Sequence, residues 1–261
     1  IEYEGKVQVN RNGSTKFQVK AQGNVEVNGG VEGAYIEAGE NIIIARGMNG
    51  MGKGTLKAGG NIVAKFLQSV NAQAKGYIAS ESILHSTIMA GTEVNVDGKK
   101  GFITGGRVCA VNSINVKTLG SAMGADTTVE VGSDPTLAVR LQQLIALVEK
   151  ENAEIASIQQ ILRSTKQKLA KGVKLTPEQL KYVQTLAASN QKKAELVSGY
   201  MEEIELLQGQ TKGKEGACII VRGSVYPGTR ICIGDVSMTV QKESHYCRFV
   251  KSRGDVKLTG I

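Results

Sequence analysis

The fold is decided by a short unit that recurs along the first half of the chain. It reads Ala38-Gly39-Glu40-Asn41-Ile42-Ile43-Ile44 and then Ala58-Gly59-Gly60-Asn61-Ile62-Val63-Ala64. In each copy a small residue and Gly precede an alternating apolar segment. Alternation with a period of two is typical of a β-strand that buries one face, and Gly permits a tight corner before it. The unit therefore predicts a strand and a corner in each repeat.

Further copies extend this repeat along the chain, and they align on the apolar positions Val25, Ile42, Ile62, Ile78, Val94 and Ile114. Two or three short β-segments in each step indicate a mainly β fold, a β-solenoid, because one coil buries its apolar edge only by stacking on the next. A Rossmann-type α/β fold would need helices between the strands, and no helical pattern precedes residue 135. Asn24, Asn41 and Asn61 share one repeat position, which predicts an Asn stack at one corner.

The composition changes abruptly after Pro135, where Gly becomes rare and Leu, Gln, Glu and Lys dominate. Two segments show the alternating steps of three and four residues that mark a coiled-coil seam. The segment Thr176-Pro177-Glu178-Gln179 has the residues of a helix start. We therefore predict a long antiparallel coiled-coil hairpin. The predicted seams are Leu137, Leu141, Leu144, Val148, Glu151, Ile155, Ile158, Leu162, Thr165 and Leu169, and then Leu180, Val183, Ala187, Asn190, Ala194, Val197, Met201, Ile204 and Gln208.

The β pattern resumes at Ala217, so the coiled-coil hairpin interrupts the solenoid. The predicted domains are 1–132, the first part of the solenoid; 133–212, the hairpin; and 213–261, the final coils with a C-terminal cap. The segments 7–9 and 17–19 flank Asn12-Gly13, which predicts an N-terminal β-hairpin cap. Strands near 236–240, 246–250 and 256–258 predict the C-terminal cap.

Composition and charge narrow the classes of function. The chain has 32 Gly, seven Tyr, four Phe and no Trp, which suits a core of small and β-branched residues stacked in layers. The net charge of +8 contains no long block of one sign, so a dedicated nucleic-acid binder is disfavoured. Cys109, Cys218, Cys232 and Cys247 fit neither a zinc nor a disulfide pattern, and we expect reduced, buried thiols. No apolar run nears the roughly 18 residues of a membrane span.

No motif in the sequence is strong evidence for catalysis or for ligand binding. The segment Gly47–Thr55 is close to a phosphate-binding loop, but Gly54 replaces the required Ser or Thr and a strand pattern follows it. His85 lies near Ser82 and Ser86 without an acid to orient it, and His245 with Cys247 offers zinc two ligands of the four it needs. We therefore predict no catalytic residue, no metal and no cofactor. Lys99-Lys100 with Arg107 could form a basic edge, and Arg222, Arg230, Arg248 and Arg253 another; solvated charge on strand edges is the preferred interpretation.

The end of the coiled-coil hairpin is the best candidate site. Its cations are Arg163, Lys166, Lys168, Lys171, Lys174 and Lys181, and Glu178 is the only acid between residues 155 and 194. Such a cationic end favours docking to an acidic protein. No aromatic residue interleaves the lysines, which disfavours nucleic acid, and Val173 and Leu175 alone give a membrane surface little to anchor. A merely soluble turn remains the alternative.

Several stretches resemble, in order and spacing, the flagellar assembly protein A family, formerly a family of unknown function. They are 31–34, 47–54, 64–66, 83–86, 98–101, 105–106, 131–135 and the return motif Val225-Tyr226-Pro227-Gly228. The resemblance implies a right-handed, single-stranded β-helix similar to the C-terminal domain of the septum-site protein MinC. It also implies a bacterial, cytoplasmic role in flagellar assembly or cell polarity. Ile1 is not an initiator Met, and the family's N-terminal region is absent, so we expect a fragment of a longer protein.

Three functions are consistent with these patterns. The first is a non-enzymatic scaffold or adaptor, a homo-oligomer with a dimer favoured, that binds protein partners through a solenoid face and the hairpin. The second is a self-assembling β-helical cytoskeletal element whose open ends stack. The third, a polysaccharide-active β-helix enzyme, would need carboxylates clustered on one face. The acids at positions 26, 32, 37, 40, 81, 93 and 97 are instead scattered in repeat phase.

Overall fold

The architecture comes from a computed structural model that describes residues 2–10, 18–171, 175–210 and 216–261. The first strands are β1 Glu2–Tyr3, β2 Val7–Val9, β3 Gln18–Ala21, β4 Val25–Val27, β5 Gly30–Glu32, β6 Tyr35–Ala38, β7 Ile42–Ile44, β8 Gly47–Ala58, β9 Ile62–Ala74, β10 Ile78–Ala90, β11 Glu93–Val96, β12 Phe102–Ala110, β13 Ser113–Val116, β14 Thr118–Leu119 and β15 Thr127–Val131. The helices are α1 Pro135–Ala170 and α2 Pro177–Gln210. The last strands are β16 Cys218–Val225, β17 Arg230–Ile233, β18 Val236–Thr239, β19 Ser244–Ser252 and β20 Asp255–Gly260.

The strands form a β-solenoid of about 7 turns, as predicted, and the two helices interrupt it as a hairpin. Neighbouring coils pair in parallel, and their strands build three faces. Face 1 consists of β2, β4, β7, the starts of β9 and β10, β11, β13 and the start of β16. Face 3 consists of β1, β3, β6, the ends of β8, β9, β10 and β12, and then β15 and β17. Within each coil the chain passes from face 1 through face 2 to face 3, and face 2 includes β5 and β14.

The core of face 1 is the column of apolar residues on which the repeats were aligned. Val25, Ile42, Ile62, Ile78, Val94 and Ile114 are all fully buried, and each lies opposite the next in the parallel register. Ile219 continues the column on the far side of the helical insertion, opposite Ile114. The predicted repeat alignment is therefore the register of the strands, because only stacked identical positions bury the apolar edge of every coil.

A ladder of Asn side chains lies at the corner before face 1. The Oδ1 atom of Asn24 accepts hydrogen bonds from the backbone N and from the Nδ2 of Asn41, at 3.0 and 2.9 Å. Asn41 Oδ1 accepts from the backbone N of Asn61 at 2.8 Å, and Asn61 Oδ1 accepts from the backbone N of Tyr77 at 2.9 Å. The predicted Asn stack is confirmed, and it satisfies backbone donors where the chain turns and has no strand partner.

The N-terminal end differs from the predicted β-hairpin cap. Val7 of β2 lies opposite Val25 in parallel register, and Glu2 of β1 lies opposite Lys20 in the same sense. A hairpin would have paired β2 with β3 in antiparallel fashion, whereas the described strands are parallel coil strands. The proposed turn residues Asn12-Gly13, together with Phe17, lie outside the described residues.

The C-terminal end is built from strands that run against the coils. β18 pairs antiparallel with β17, β19 with β16, and β20 with β19. These are the strands predicted near residues 236–240, 246–250 and 256–258. Because they reverse direction, they end the regular parallel stack, which is how a cap limits pairing at an exposed sheet edge.

The chain divides into two compact units. One comprises Ile1–Thr136 with Lys212–Ile261, and the other Leu137–Thr211. The predicted boundaries lay after residues 132 and 212. In the sequence the helical unit follows β15 of face 3 and precedes β16 of face 1, so the chain leaves and re-enters the solenoid at one corner.

Candidate functional site

Ion pairs between α1 and α2 set the register of the helical hairpin. Arg140 contacts Glu203 through two hydrogen bonds, at 2.8 and 3.0 Å. Lys193 lies 2.6 Å from the carboxylates of both Glu151 and Glu154. A residue early in α1 thus meets one late in α2, so the helices are antiparallel. This pairing brings the C-terminal part of α1 and the N-terminal part of α2, which carry the predicted cations, to the same end.

The predicted seam residues of α1 are among its less exposed ones apart from Leu169, but five of the nine predicted for α2 are exposed. On α2 the less exposed residues are Val183, Leu186, Ser189, Asn190, Lys193, Val197, Tyr200, Glu203, Ile204 and Leu207. Leu180, Ala187, Ala194, Met201 and Gln208, which the pattern placed in the seam, are exposed instead. The cross-helix ion pair of Lys193 with Glu151 explains the shift, since a charged residue takes a seam position that an apolar pattern assigns to its neighbour Ala194.

The start of α2 is fixed by the predicted capping box. The backbone N of Gln179 donates to Thr176 Oγ1 at 3.3 Å, and the backbone N of Thr176 donates to Gln179 Oε1 at 3.0 Å. These reciprocal bonds satisfy donors that have no partner within the helix. They define where α2 begins and therefore where Lys181 lies relative to the turn.

Five of the six predicted cations are described, and all five are exposed: Arg163, Lys166, Lys168, Lys171 and Lys181. Lys174, the sixth, lies outside the described residues. Within residues 175–210 and the described part of α1, none of the five forms an ion pair. Their positive charge is therefore exposed to solvent and is not neutralised by an ion pair with another described residue of the hairpin. A surface that attracts an acidic partner requires such unpaired charge.

Apolar side chains lie among these cations, although the sequence pattern does not predict them there. Leu180 is 48% exposed and Tyr182 is 58% exposed, on either side of Lys181, while Ile161 and Leu169 are also exposed on α1. The apolar pattern places Leu169 and Leu180 in the seam and gives Tyr182 no role. The result is a mixed surface, which we call the hairpin end, of cations with Ile161, Leu169, Leu180 and Tyr182. Tyr182 and Arg163 are of the residue types enriched at protein interfaces, whereas the lysines are of a type depleted from interface cores and more common at the rim.

The predicted basic edges are not single surfaces. Arg107 lies on face 3 and donates to Glu130 Oε2 at 2.5 Å, apart from any edge with Lys99-Lys100. Arg230 lies opposite Thr128 on face 3, whereas Arg248 lies opposite Ile220 in β19. Arg107, Glu130 and Arg230 instead border a shallow cleft of about 450 Å³ on face 3, which sequence spacing did not suggest.

Two thiols lie next to Glu130 in this cleft region. Cys109 and Cys232 occupy the outward positions opposite Glu130 on either side, and Cys109 Sγ lies 3.7 Å from the Glu130 carboxylate. Burial raises the pKa of the Cys109 thiol from 9.0 to about 12; Glu130 adds to the shift and Arg107 opposes it. Burial also raises the pKa of Cys232 and of Cys247. Because the thiolate is the reactive form, these thiols are poor nucleophiles at neutral pH.

We expect the solenoid to lose stability as the pH rises from about 9 toward 12, with Cys109 contributing about 1.4 kcal/mol per pH unit. The unfolded thiol loses its proton near its ordinary pKa, whereas the native thiol retains it, so the native state binds more protons in this window. Urea unfolding at several pH values should show a shallower decline for Cys109→Ala. Val108→Ala, which removes a neighbouring buried side chain, should keep the slope of the parent protein. Parallel slopes for Cys109→Ala and the parent would contradict the assignment.

A Ser, a His and a Glu come together near the C-terminal cap. Ser224 Oγ lies 2.9 Å from His245 Nδ1, and His245 Nε2 lies 3.8 Å from Glu243. The sequence alone does not indicate this arrangement, because Ser224 and His245 are 21 residues apart and meet through the antiparallel pairing of β16 with β19. His245 and Glu243 are largely exposed, and the His–Glu separation exceeds a hydrogen bond. The group therefore lacks the tightly held, oriented base that nucleophilic catalysis by Ser uses.

The other two candidate motifs have structural explanations. Gly47–Thr55 lies entirely within β8, so no helix N-terminus follows it and the phosphate-loop context is missing. His85 adopts a left-handed backbone conformation at a corner (φ 45°), and its ring covers Gly105, where an added Cβ would lie 2.3 Å from the His85 Nδ1.

Among the described residues, no three or more His, Cys, Asp or Glu side chains lie close enough together to hold a metal ion. Neither of the described helices is apolar enough over a sufficient length to cross a membrane.

Comparison with known proteins gave one family match. The family model described as the Flagellar Assembly Protein A beta solenoid domain (FapA) matches residues 1–256. Neither the curated proteins nor the solved structures gave a match to this chain. The family match covers both solenoid segments and the helical insertion between them.

Proposed function

Because the chain belongs to the flagellar assembly protein A β-solenoid family, which supports a role related to flagellar assembly, we propose that it acts there as a non-enzymatic scaffold or adaptor. In this proposal the solenoid is the rigid body and the hairpin end recruits an acidic protein partner. In this proposal the protein acts in the bacterial cytoplasm, and a polar location is compatible with that role. Protein contacts, not chemistry on a small substrate, are its activity.

The observation that carries this proposal is the composition of the hairpin end. Its cations are exposed and, among the described residues, have no ion-pair partner, and the exposed Leu180 and Tyr182 lie beside Lys181. An acidic partner gains from the unpaired cations in association rate and orientation. The apolar side chains supply the buried contacts that give such an interface its affinity.

The alternative functions have less support. A cytoskeletal polymer would stack solenoid ends in parallel, and β18, β19 and β20 present reversed strands at the C-terminal end. A polysaccharide-active enzyme would need paired carboxylates across a substrate groove. The acids instead lie on different faces, with Glu26 on face 1 and Glu37 on face 3. Tyr182 is a single aromatic residue, which is too little for the stacked bases of a single-stranded nucleic acid.

Charge reversal at the hairpin end tests the proposal in cells. The variant Lys166→Glu, Lys168→Glu, Lys171→Glu is introduced into a flagellated host that lacks the parent gene, inside the otherwise complete chain. We expect the variant to accumulate normally but to fail to restore flagellar filaments and spreading in soft agar. The control reverses three exposed lysines of the solenoid unit, Lys99, Lys100 and Lys257, and should restore both.

A binding measurement separates docking from other causes of failure. Fluorescent poly-glutamate serves as the acidic probe, and its affinity for the purified protein is followed by anisotropy at low salt. We expect the hairpin-end variant to bind the probe about tenfold more weakly than the solenoid control, which carries the same net charge. Equal probe binding by the two variants, together with full restoration of flagella by the hairpin-end variant, would overturn the proposal.

A further inference from the structure

The outward positions of face 1 form a continuous vertical ladder. From the N-terminal end its rungs are Gln8, Glu26, Ile43, Val63, Ala79, Asn95, Asn115, Ile220, Arg248 of β19 and Thr259 of β20, each opposite the next in the strand register. They alternate with the buried core column, so their side chains point away from the core. This ladder crosses the sequence position of the helical insertion without a break in register.

Part of the ladder carries apolar side chains at outward positions, where a sheet face exposed only to water would carry polar ones. Ile43 is 40% exposed and Val63 is 37% exposed, next to each other, with Ala79 on the following rung. An outward face that meets only water normally carries polar side chains at these positions. The exposed Ile and Val pair thus points to a surface that another molecule covers.

The order of the rungs identifies that molecule. Read from the two ends inward, Gln8 corresponds to Thr259, Glu26 to Arg248, Ile43 to Ile220, Val63 to Asn115 and Ala79 to Asn95. Opposite charges thus stand at equal distances from the centre, and so do the two Ile residues. We infer that face 1 binds a second copy of this chain around a two-fold axis that passes between Ala79 and Asn95.

A two-fold axis at this point makes each contact twice, as an isologous interface requires. Glu26 of each copy then meets Arg248 of the other, and Ile43 meets Ile220. Stacking the faces in the same direction would instead place Glu26 on Glu26 and Arg248 on Arg248. Binding of a different protein does not require this palindromic order of residues on face 1, whereas binding of a second copy does. The arrangement of charges therefore favours a second copy as the partner.

The size of the ladder suits a dimer in equilibrium with its monomer. Ten rungs about 4.8 Å apart span about 43 Å, and strands of about four residues at about 3.3 Å each give the face a width of about 13 Å. The product is about 560 Å² per copy, so the two copies together exceed the roughly 1,000 Å² expected of a specific interface. The inference is independent of the hairpin end and can fail without affecting the proposed adaptor function.

Charge exchange tests the two-fold arrangement in the full chain. Sedimentation equilibrium should show a monomer–dimer equilibrium for the parent protein. Glu26→Arg and Arg248→Glu should each weaken the dimer about tenfold or more, and the double variant should regain most of the parent affinity. Because Glu26 also pairs with Lys6 of its own chain at 2.8 Å, circular dichroism checks the fold of each variant. Lys57→Glu, an outward charge reversal on face 3, is the matched control and should leave the affinity unchanged.

Crosslinking tests the register separately from the affinity. Chains with Ile43→Cys, mixed with chains with Ile220→Cys, should be joined by a bismaleimide with a reach of about 10 Å. Each variant alone should not react, because like positions lie about five rungs, or about 24 Å, apart along the ladder. The parent protein reports any background from its own four thiols. A monomer at all concentrations, crosslinking of either variant alone, or a double charge variant no tighter than the singles would each overturn the inference.

The same rotation brings a like-charge pair near the axis. The two-fold axis lies parallel to the strands and leaves positions along them unchanged, so Glu81, two residues after Ala79, approaches Asp97, two residues after Asn95, of the other copy. We therefore expect Glu81→Gln to tighten the dimer, the opposite direction to Glu26→Arg, although both variants remove a negative charge from the same face. If both variants weakened the dimer, the position of the axis would be wrong.

Discussion

Replacing Gly59 by Ala is expected to destabilise the solenoid by about 3 kcal/mol, since a Cβ at this corner would meet the coil below it. That Cβ would lie 2.0 Å from the carbonyl oxygen of Gly39, and a Cβ on Gly39 would lie equally close to the carbonyl oxygen of Gln22. The contact is with backbone rather than with a flexible side chain. The coils must therefore separate at this corner, which also strains the hydrogen bond from Gly59 N to Ala38 O.

Urea unfolding followed by circular dichroism measures this effect. Gly260→Ala is the matched control, because a Cβ there meets no atom within 4 Å. It should change the free energy of unfolding by less than about 0.5 kcal/mol, as surface substitutions usually do. Similar free energies for Gly59→Ala and Gly260→Ala would show that the corner can relax, and the close stacking of coils would then not limit the sequence at this position.

Asn41→Ala is expected to cost about 2 kcal/mol, because it removes the central member of the Asn ladder. The substitution deletes the bond from Asn41 Nδ2 to Asn24 Oδ1 and leaves the backbone N–H of Asn61 without its acceptor. A donor left unpaired in a partly buried place costs more than the bond itself contributed. The loss should appear as a lower urea midpoint and as faster amide exchange at Asn61.

Asn49→Ala provides the comparison for this measurement. Asn49 Oδ1 accepts a hydrogen bond only from the nearby backbone N of Met51, at 3.2 Å, and links no coils. We expect it to cost less than half as much as Asn41→Ala, with no change in exchange at Asn61. Should the two substitutions cost the same, the ladder would be a consequence of coil stacking and not a contributor to it.

The solenoid was predictable because each repeat carries the residues that determine its own corner and strand. Val25, Ile42 and Ile62 each directly follow an Asn, with an Ala and a Gly shortly before it. That combination permits one corner and one buried strand. The Asn stack followed from the same alignment. Stacking is nearly one-dimensional, so an alignment of repeats along the sequence is also an alignment in space.

Features that depend on distant contacts were harder to predict. The α2 seam passes through Lys193 because this residue forms ion pairs with Glu151 and Glu154 of α1. The spacing of apolar residues in the sequence does not indicate such a pairing between helices. The exposure of Leu180, which the pattern placed in the seam, follows from the same shift. The segment around Asn12-Gly13 has the residues of a hairpin turn, yet Val7 pairs in parallel with Val25, because coil stacking offers β2 a better partner.

The pairing of α1 with α2 has a consequence for how the solenoid closes. Ser113 and Cys218 are strand neighbours although the whole insertion separates them in sequence, so their coils must find each other across a long loop. The Arg140–Glu203 contact ties the two helices together close to where the chain leaves and re-enters the solenoid unit. Once formed, this contact reduces the effective loop between Ser113 and Cys218 from about 105 to about 42 residues, which lowers the entropy cost of closure by about 0.8 kcal/mol. The helical insertion thus makes it easier for the last coils to stack on the earlier ones despite their separation in sequence.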